Sequence, residues 1–131
     1  MTVDPTGRFA YVANEGSNNV SAFTIDGASG ALTAVAGSPF AAGTGPRSVT
    51  VDAGGRFVYV ANRGSDNVSA FQIHAPSGTL TPVPGSPFAT GNRPFAMLVH
   101  PTGRFGYVAN LGSNTISGFM IDERSGSLTP A

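Results

Sequence analysis

The sequence predicts an all-β fold in which one four-stranded antiparallel unit is used three times. The stretch Gly-Arg-Phe-x-Tyr-Val-Ala-Asn begins at Gly7, Gly55 and Gly103, so Tyr11, Tyr59 and Tyr107 recur every 48 residues, as do Asn14, Asn62 and Asn110. Residues 4–51 and 52–99 align without a gap and agree at more than half of their positions. A fixed period of this size marks a repeat architecture. Eighteen glycines and ten prolines are spread along the chain, and no ten-residue window with helical periodicity escapes both.

Each element of the unit follows from local chemistry. Asp4-Pro5-Thr6-Gly7 is a tight turn: Asp bonds forward to the backbone, Pro presets φ and Gly closes. The same place holds Asp52-Ala53-Gly54-Gly55 and His100-Pro101-Thr102-Gly103. Residues 8–13 read as a strand, with Phe9 and Tyr11 on one face and Ala10 and Val12 on the other. Both faces are apolar, so both are expected to be covered. Asn14 to Asn19 is a polar turn in which Asn and Gly tolerate positive φ. Residues 20–25 form the next strand, residues 26–30 turn the chain, and residues 31–35 are a short fourth strand. The Gly- and Pro-rich stretch 37–46 is read as a crossing without an element of its own. Residues 47–51 then open the next unit, which continues with strands at 56–61, 68–73 and 79–83.

Four antiparallel strands repeated at this length describe the blades of a β-propeller; a stack of solenoid hairpins has much shorter rungs. The expected blades cover residues 1–36, 46–84 and 94–131, in one propeller segment. Face-to-face packing of blades predicts burial of Tyr11, Phe23, Val49, Tyr59, Phe71, Val99, Tyr107 and Phe119.

Tyr-Val-Ala-Asn followed by Gly-Ser and Asn-Val-Ser resembles the YVTN-type propeller repeat, with Ala where that repeat carries Thr. The Asp-Pro-Thr-Gly-Arg-Phe turn and the Ser-Gly-x-Leu-Thr before the fourth strand resemble the lactonase-like propellers, the bacterial 6-phosphogluconolactonase group. The resemblance covers the whole chain and implies the propeller fold. Lactonase-like members carry Gly-Pro-Arg-His before the inner strand and Asn-Glu at the end of the next. Here the matching residues are Gly45-Pro46-Arg47-Ser48 and Asn62-Arg63, so a Ser stands at the His position and a cation at the carboxylate position. Only the first unit keeps Asn14-Glu15, and the third has Arg93-Pro94-Phe95-Ala96 and Asn110-Leu111. No single unit holds the set, so no catalytic residue is assigned. The expected function is a non-catalytic scaffold or binding segment, or a fragment of a larger propeller protein. The alternative is a lactonase-like hydrolase of sugar lactones.

Composition narrows the field. Seven basic side chains balance seven acidic ones and charged residues make up 11% of the chain, so there is no basic surface for nucleic acid. No run of about 18 apolar residues could span a bilayer. The segment from Met1 lacks the charged region and apolar core of a signal peptide, and the compartment stays open. There are no cysteines, hence no thiolate metal site. His74 and His100 occupy non-equivalent positions without a third ligand at zinc spacing, and the Asn-rich turns carry too few carboxylates for calcium. Neither a metal nor a cofactor is expected. Asn19-Val20-Ser21 and Asn67-Val68-Ser69 match the glycosylation triplet, a match that recurs because the unit does.

The positions where the repeats disagree are the candidate binding residues: Glu15, Arg63 and Leu111 at one place in the unit, Arg47 and Phe95 at another, with Arg93 beside them. In a propeller the turn after the second strand and the blade-to-blade crossing share one rim, which brings all six toward one face. The chain falls short of three full periods by a stretch equivalent to residues 84–96. Three blades do not close a ring, and neither end unit has the polar outer face of a cap. Apolar flanks favour association, and the expected partner is a second copy, two chains giving a six-bladed ring.

Overall fold

The computed structural model describes residues 1–131, which form fourteen strands and no helix. The first blade consists of β1 (Thr2–Val3), β2 (Phe9–Asn14), β3 (Asn19–Ile25), β4 (Leu32–Ala34) and β5 (Phe40–Ala41). The second has β6 (Pro46–Val51), β7 (Phe57–Asn62), β8 (Asn67–His74), β9 (Thr79–Pro82) and β10 (Phe88–Ala89). The third has β11 (Pro94–Val99), β12 (Phe105–Asn110), β13 (Thr115–Ile121) and β14 (Leu128–Pro130). Pairing is antiparallel throughout, in the orders β1-β2-β3-β4, β6-β7-β8-β9 and β11-β12-β13-β14.

The crossing is more ordered than the sequence reading allows. Residues Phe40–Ala41 and Phe88–Ala89 pair with the first residues of β3 and β8, so the outer strand of those blades comes in two pieces. A serine holds each break together. Ser38 Oγ accepts from the Ala22 N–H and Ser86 Oγ from the Ala70 N–H, both at 2.9 Å.

Side chains fix the turns of each blade. Asp4 Oδ1 accepts from the N–H groups of Arg8 and Phe9 at 2.7 and 2.9 Å, and Asp52 does the same for Arg56 and Phe57 at 2.7 and 3.0 Å. The motif asparagine clamps the following hairpin. Asn62 Nδ2 donates to Asn67 Oδ1 and Ser69 Oγ at 2.9 and 2.8 Å, and Asn14 and Asn110 make the equivalent bonds. Asn18, Asp66 and Asn114 take up positive φ of 54–58° at the tips of these hairpins, a conformation that Asn and Asp tolerate best among side-chain-bearing residues.

Burial of the two blade interfaces supplies the core. Phe9, Tyr11, Val20 and Ala22 of the first blade pack with Val49, Val58, Val60, Phe71, Ile73 and Leu80 of the second. The opposite face of the second blade contributes Phe57, Tyr59, Val68 and Ala70 to a cluster with Met97, Val108, Phe119, Ile121 and Leu128 of the third. Each interface carries the same lock. Tyr11 donates its buried hydroxyl to the Gly78 carbonyl at 3.3 Å, and Tyr59 does so to Gly126 at 2.9 Å. Gly78 has φ +80, and a Cβ there would lie 2.7 Å from the Phe9 ring; at Gly126, with φ +79, it would lie 2.5 Å from that of Phe57. Only glycine fits. Of the side chains expected in the core, Tyr11, Val49, Tyr59, Phe71 and Phe119 are buried, while Phe23 and Val99 are half-buried. Tyr107 is corrected outright: it is 43% exposed, because no further blade covers its face.

Candidate functional site

The rim where crossings meet hairpin turns is stitched by backbone and Asx bonds. Gly45 accepts from the Arg63 N–H at 2.9 Å and Arg93 accepts from the Leu111 N–H at 3.0 Å. Asn18 Oδ1 accepts from the Gly45 N–H at 2.9 Å, and Asp66 Oδ1 from the Arg93 N–H at 2.8 Å. Each hairpin tip thereby positions the start of the next blade. The left-handed conformation at this point is Gly45 (φ 61) in one crossing but Arg93 (φ 51) in the other, a strained choice for a side-chain-bearing residue. Asn18 and Asp66 were not singled out in the sequence. The signal available was an Asx at a turn position in each copy.

On this frame the six candidate residues separate into two neighbouring sets. Glu15, Arg63 and Arg93 line a polar cavity of about 240 Å³ together with Gly45 and Gly64. The Glu15 carboxylate lies 3.4 Å from Arg47 Nη1 and 3.8 Å from Arg63 Nη1. Phe95 and Leu111 instead line an apolar hollow of about 550 Å³ with Asn114 and Ile116. Arg47 joins the two sets, since its guanidinium also sits 4.8 Å from the centre of the Phe95 ring. The residues thus come from three blades, Glu15 from the first, Arg47 and Arg63 from the second, Arg93 and Phe95 from the third.

Electrostatics favour an anionic guest. Arg47 and Arg63 pair with Glu15 and Arg93 lines the same cavity, while Asp66 Oδ1 accepts from the Arg93 N–H, so three guanidiniums meet two carboxylates with an excess of one positive charge, and the ion pairs are open to solvent. Exposed pairs of this kind contribute about 0–1 kcal/mol to stability. Ser48, at the position where the lactonase-like pattern carries His, has a buried hydroxyl without a hydrogen-bond partner. The histidines lie elsewhere and are engaged locally: His74 with the Thr81 hydroxyl, His100 Nδ1 with the N–H and hydroxyl of Thr102. No group of three or more His, Asp or Glu side chains is close enough to hold a metal ion. No helix is long and apolar enough to cross a membrane.

These features define a β-propeller segment with a basic rim built between blades. Residues 1–89 match the family described as lactonase, seven-bladed β-propeller, and the chain belongs to that family. Among solved structures, it superposes on a candidate 6-phosphogluconolactonase from Bacteroides uniformis with a TM-score of 0.91 at 28% identity, over 99% of this chain and 38% of that one. A second candidate 6-phosphogluconolactonase, from Bacteroides fragilis, gives 0.90 at 31% identity over 98% and 36%. The periplasmic gluconolactonase of Pseudomonas aeruginosa gives 0.87 at 28% over 99% and 37%. The chain therefore spans well under half the length of these proteins. No curated protein matches it.

The comparisons overturn the expectation of a non-catalytic scaffold or binding segment, since the family and these neighbours favour the lactonase-like alternative. The sequence reading sought one complete set of residues within a unit, whereas the carboxylate and guanidiniums meet across blade boundaries.

Proposed function

We propose that this chain belongs to a hydrolase of sugar lactones and that its basic rim holds the lactone. The observation that carries the reading is the Glu15 carboxylate set between Arg47 and Arg63, with Arg93 on the wall of the same cavity. The cavity of about 240 Å³ is below the roughly 300–1,000 Å³ typical of drug-sized ligands, which suits one sugar ring. A guanidinium donates to the lactone carbonyl oxygen and stabilises the charge that builds there during attack. Glu15 accepts a proton from a water and directs its oxygen to the carbonyl carbon. The C–O bond of the ring then breaks, its oxygen takes the proton held by Glu15, and the new carboxylic acid loses its own proton to solvent, leaving an open-chain hydroxy acid whose carboxylate stays paired with arginine. The second guanidinium and Arg93 remain for a further anionic group on the sugar.

Hydrolysis of a gluconolactone and of its 6-phosphate, corrected for spontaneous opening, tests this. Saturable turnover by the 131-residue protein is expected, with a loss of about 100-fold or more in kcat for Glu15→Gln, within the usual range for general acid–base groups. Arg47→Ala is expected to abolish it. Turnover no faster than spontaneous opening, or turnover untouched by both substitutions, overturns the reading.

A further inference from the structure

Each crossing enters the next blade through one left-handed residue ahead of a proline, Gly45-Pro46 in one case and Arg93-Pro94 in the other. The two are held alike, Gly45 by the Asn18 carboxamide oxygen and Arg93 by the Asp66 carboxylate. Glycine takes up this conformation freely, whereas a residue with a side chain is strained there. The second crossing therefore carries a strain that the first avoids at the same place. Burial does not explain it, because Arg93 is exposed. Nor does charge pairing: Arg47 and Arg63 share Glu15, while Arg93 takes part in no ion pair. Its backbone is pinned on both sides, by Asp66 at the N–H and by the Leu111 N–H at the carbonyl. Its stem lies along Gly112, where a Cβ would stand 3.1 Å from Arg93 Cγ. The side chain lines a cavity whose other walls belong to the preceding blades, Glu15 in the first and Gly45, Arg63 and Gly64 in the second.

We propose that Arg93 is a specificity-determining residue, whose guanidinium receives a second anionic group on the substrate, remote from the lactone carbonyl. The inference rests on the reading of the rim as a lactone site. Arg47 and Arg63 are shared with Glu15, so the one positive charge in excess is the charge that Arg93 holds out to the guest. A neutral lactone leaves it unanswered. A phosphate ester or a carboxylate on the sugar answers it with charge-assisted bonds, which a planar guanidinium makes two at a time. The strained backbone is retained for this purpose: glycine at the same place would suit the turn better and recognise nothing.

Three substitutions separate the strain from the charge. Arg93→Gly removes both, Arg93→Ala removes the charge alone, and Arg93→Lys keeps a charge without the planar fork. In thermal unfolding the glycine variant is expected to melt above the alanine variant and no lower than the unsubstituted protein. Among gluconolactone, its 6-phosphate and a glucarolactone, the unsubstituted protein is expected to favour an anionic lactone over the neutral one in kcat/KM. Whether the phosphate or the carboxylate form is favoured identifies the group that Arg93 reads. Arg93→Gly and Arg93→Ala should each shrink the preference by about tenfold or more, the scale of one bond to a charged group, and Arg93→Lys should shrink it less. Calorimetry with the open-chain acids, gluconate 6-phosphate and glucarate against gluconate, makes the same comparison without turnover. Arg93-dependent binding in a protein without turnover upholds anion recognition and overturns the hydrolase reading alone. A preference that survives both Arg93→Gly and Arg93→Ala, no preference in turnover or binding, or a glycine variant that melts below the alanine variant overturns the proposal.

Discussion

Strands β7 and β12 read Phe-Val-Tyr-Val-Ala-Asn and Phe-Gly-Tyr-Val-Ala-Asn, yet all six residues of the first are buried, and every second residue of the other faces solvent. The difference is not in the strands. The middle blade has a neighbour on both faces and the third on one, so the aromatic side that closes over Gly126 in one case is bare in the other. Burial in this fold is a property of the junction, and identical residues change their energetic role with it.

The largest test of that contrast is truncation of the two tyrosines. Tyr59→Ala removes a fully buried ring and should cost on the order of 3–5 kcal/mol in urea unfolding, as for other core aromatics. Tyr107→Ala should cost less than about 1 kcal/mol at protein concentrations too low for association. Similar losses at both sites would mean that the third-blade flank is not open. A finer comparison removes only the hydroxyl. Tyr59→Phe leaves the Gly126 carbonyl unsatisfied in the core and should cost about 1–2 kcal/mol, against no measurable change for Tyr107→Phe in the same assay.

The turns give the smallest effect and a pH signature. Burial would raise the Asp4 carboxyl, but bonds from the Thr6 hydroxyl and the N–H groups of Phe9 and Arg8 outweigh it and hold it below its usual value. The charged form is therefore favoured by folding. Its contribution is complete above the unfolded carboxylate value of about 3.9 and disappears as pH falls through the lower folded value. Asp4→Asn should cost about 1 kcal/mol at pH 7 and progressively less below pH 4. A cost that grows on acidification contradicts the sign. In the third blade the same turn carries His100, whose ring Nδ1 bonds to Thr102 rather than to the backbone N–H groups that Asp4 holds.

Much of the fold was legible because the repeat writes the same turn chemistry three times. Asp4 and Asp52 satisfy backbone N–H groups four and five residues on, and the motif asparagines bond side chains five and seven residues on, which local pattern can reveal; the Asx residues at the hairpin tips instead reach backbone N–H groups 27 residues away. The short strands at Phe40–Ala41 and Phe88–Ala89 were hidden, since their pairing depends on a serine hydroxyl bridging a break rather than on propensity. Exposure of Tyr107 was hidden for a different reason: its environment is set by what lies beyond its own sheet. At the rim, the shared location of Glu15, Arg47 and Arg63 followed from topology. Their pairing across blades did not, although the opposite charges of Glu15 and Arg63 at equivalent positions were a clue. The split that leaves Leu111 with the apolar hollow required coordinates.

The tyrosine locks join residues 67 apart, Tyr11 to Gly78 and Tyr59 to Gly126, whereas the asparagine clamps span five to seven residues. Closing a short hairpin costs little chain entropy, and bringing distant segments together costs more before any contact repays it. Each blade is thus expected to organise by itself, with docking of blade on blade the late event along the folding route. Stopped-flow measurements on Tyr59→Phe should accordingly show faster unfolding at a nearly unchanged refolding rate. The lock acts as a latch on the time axis, setting how long neighbouring blades stay together rather than how quickly they find one another.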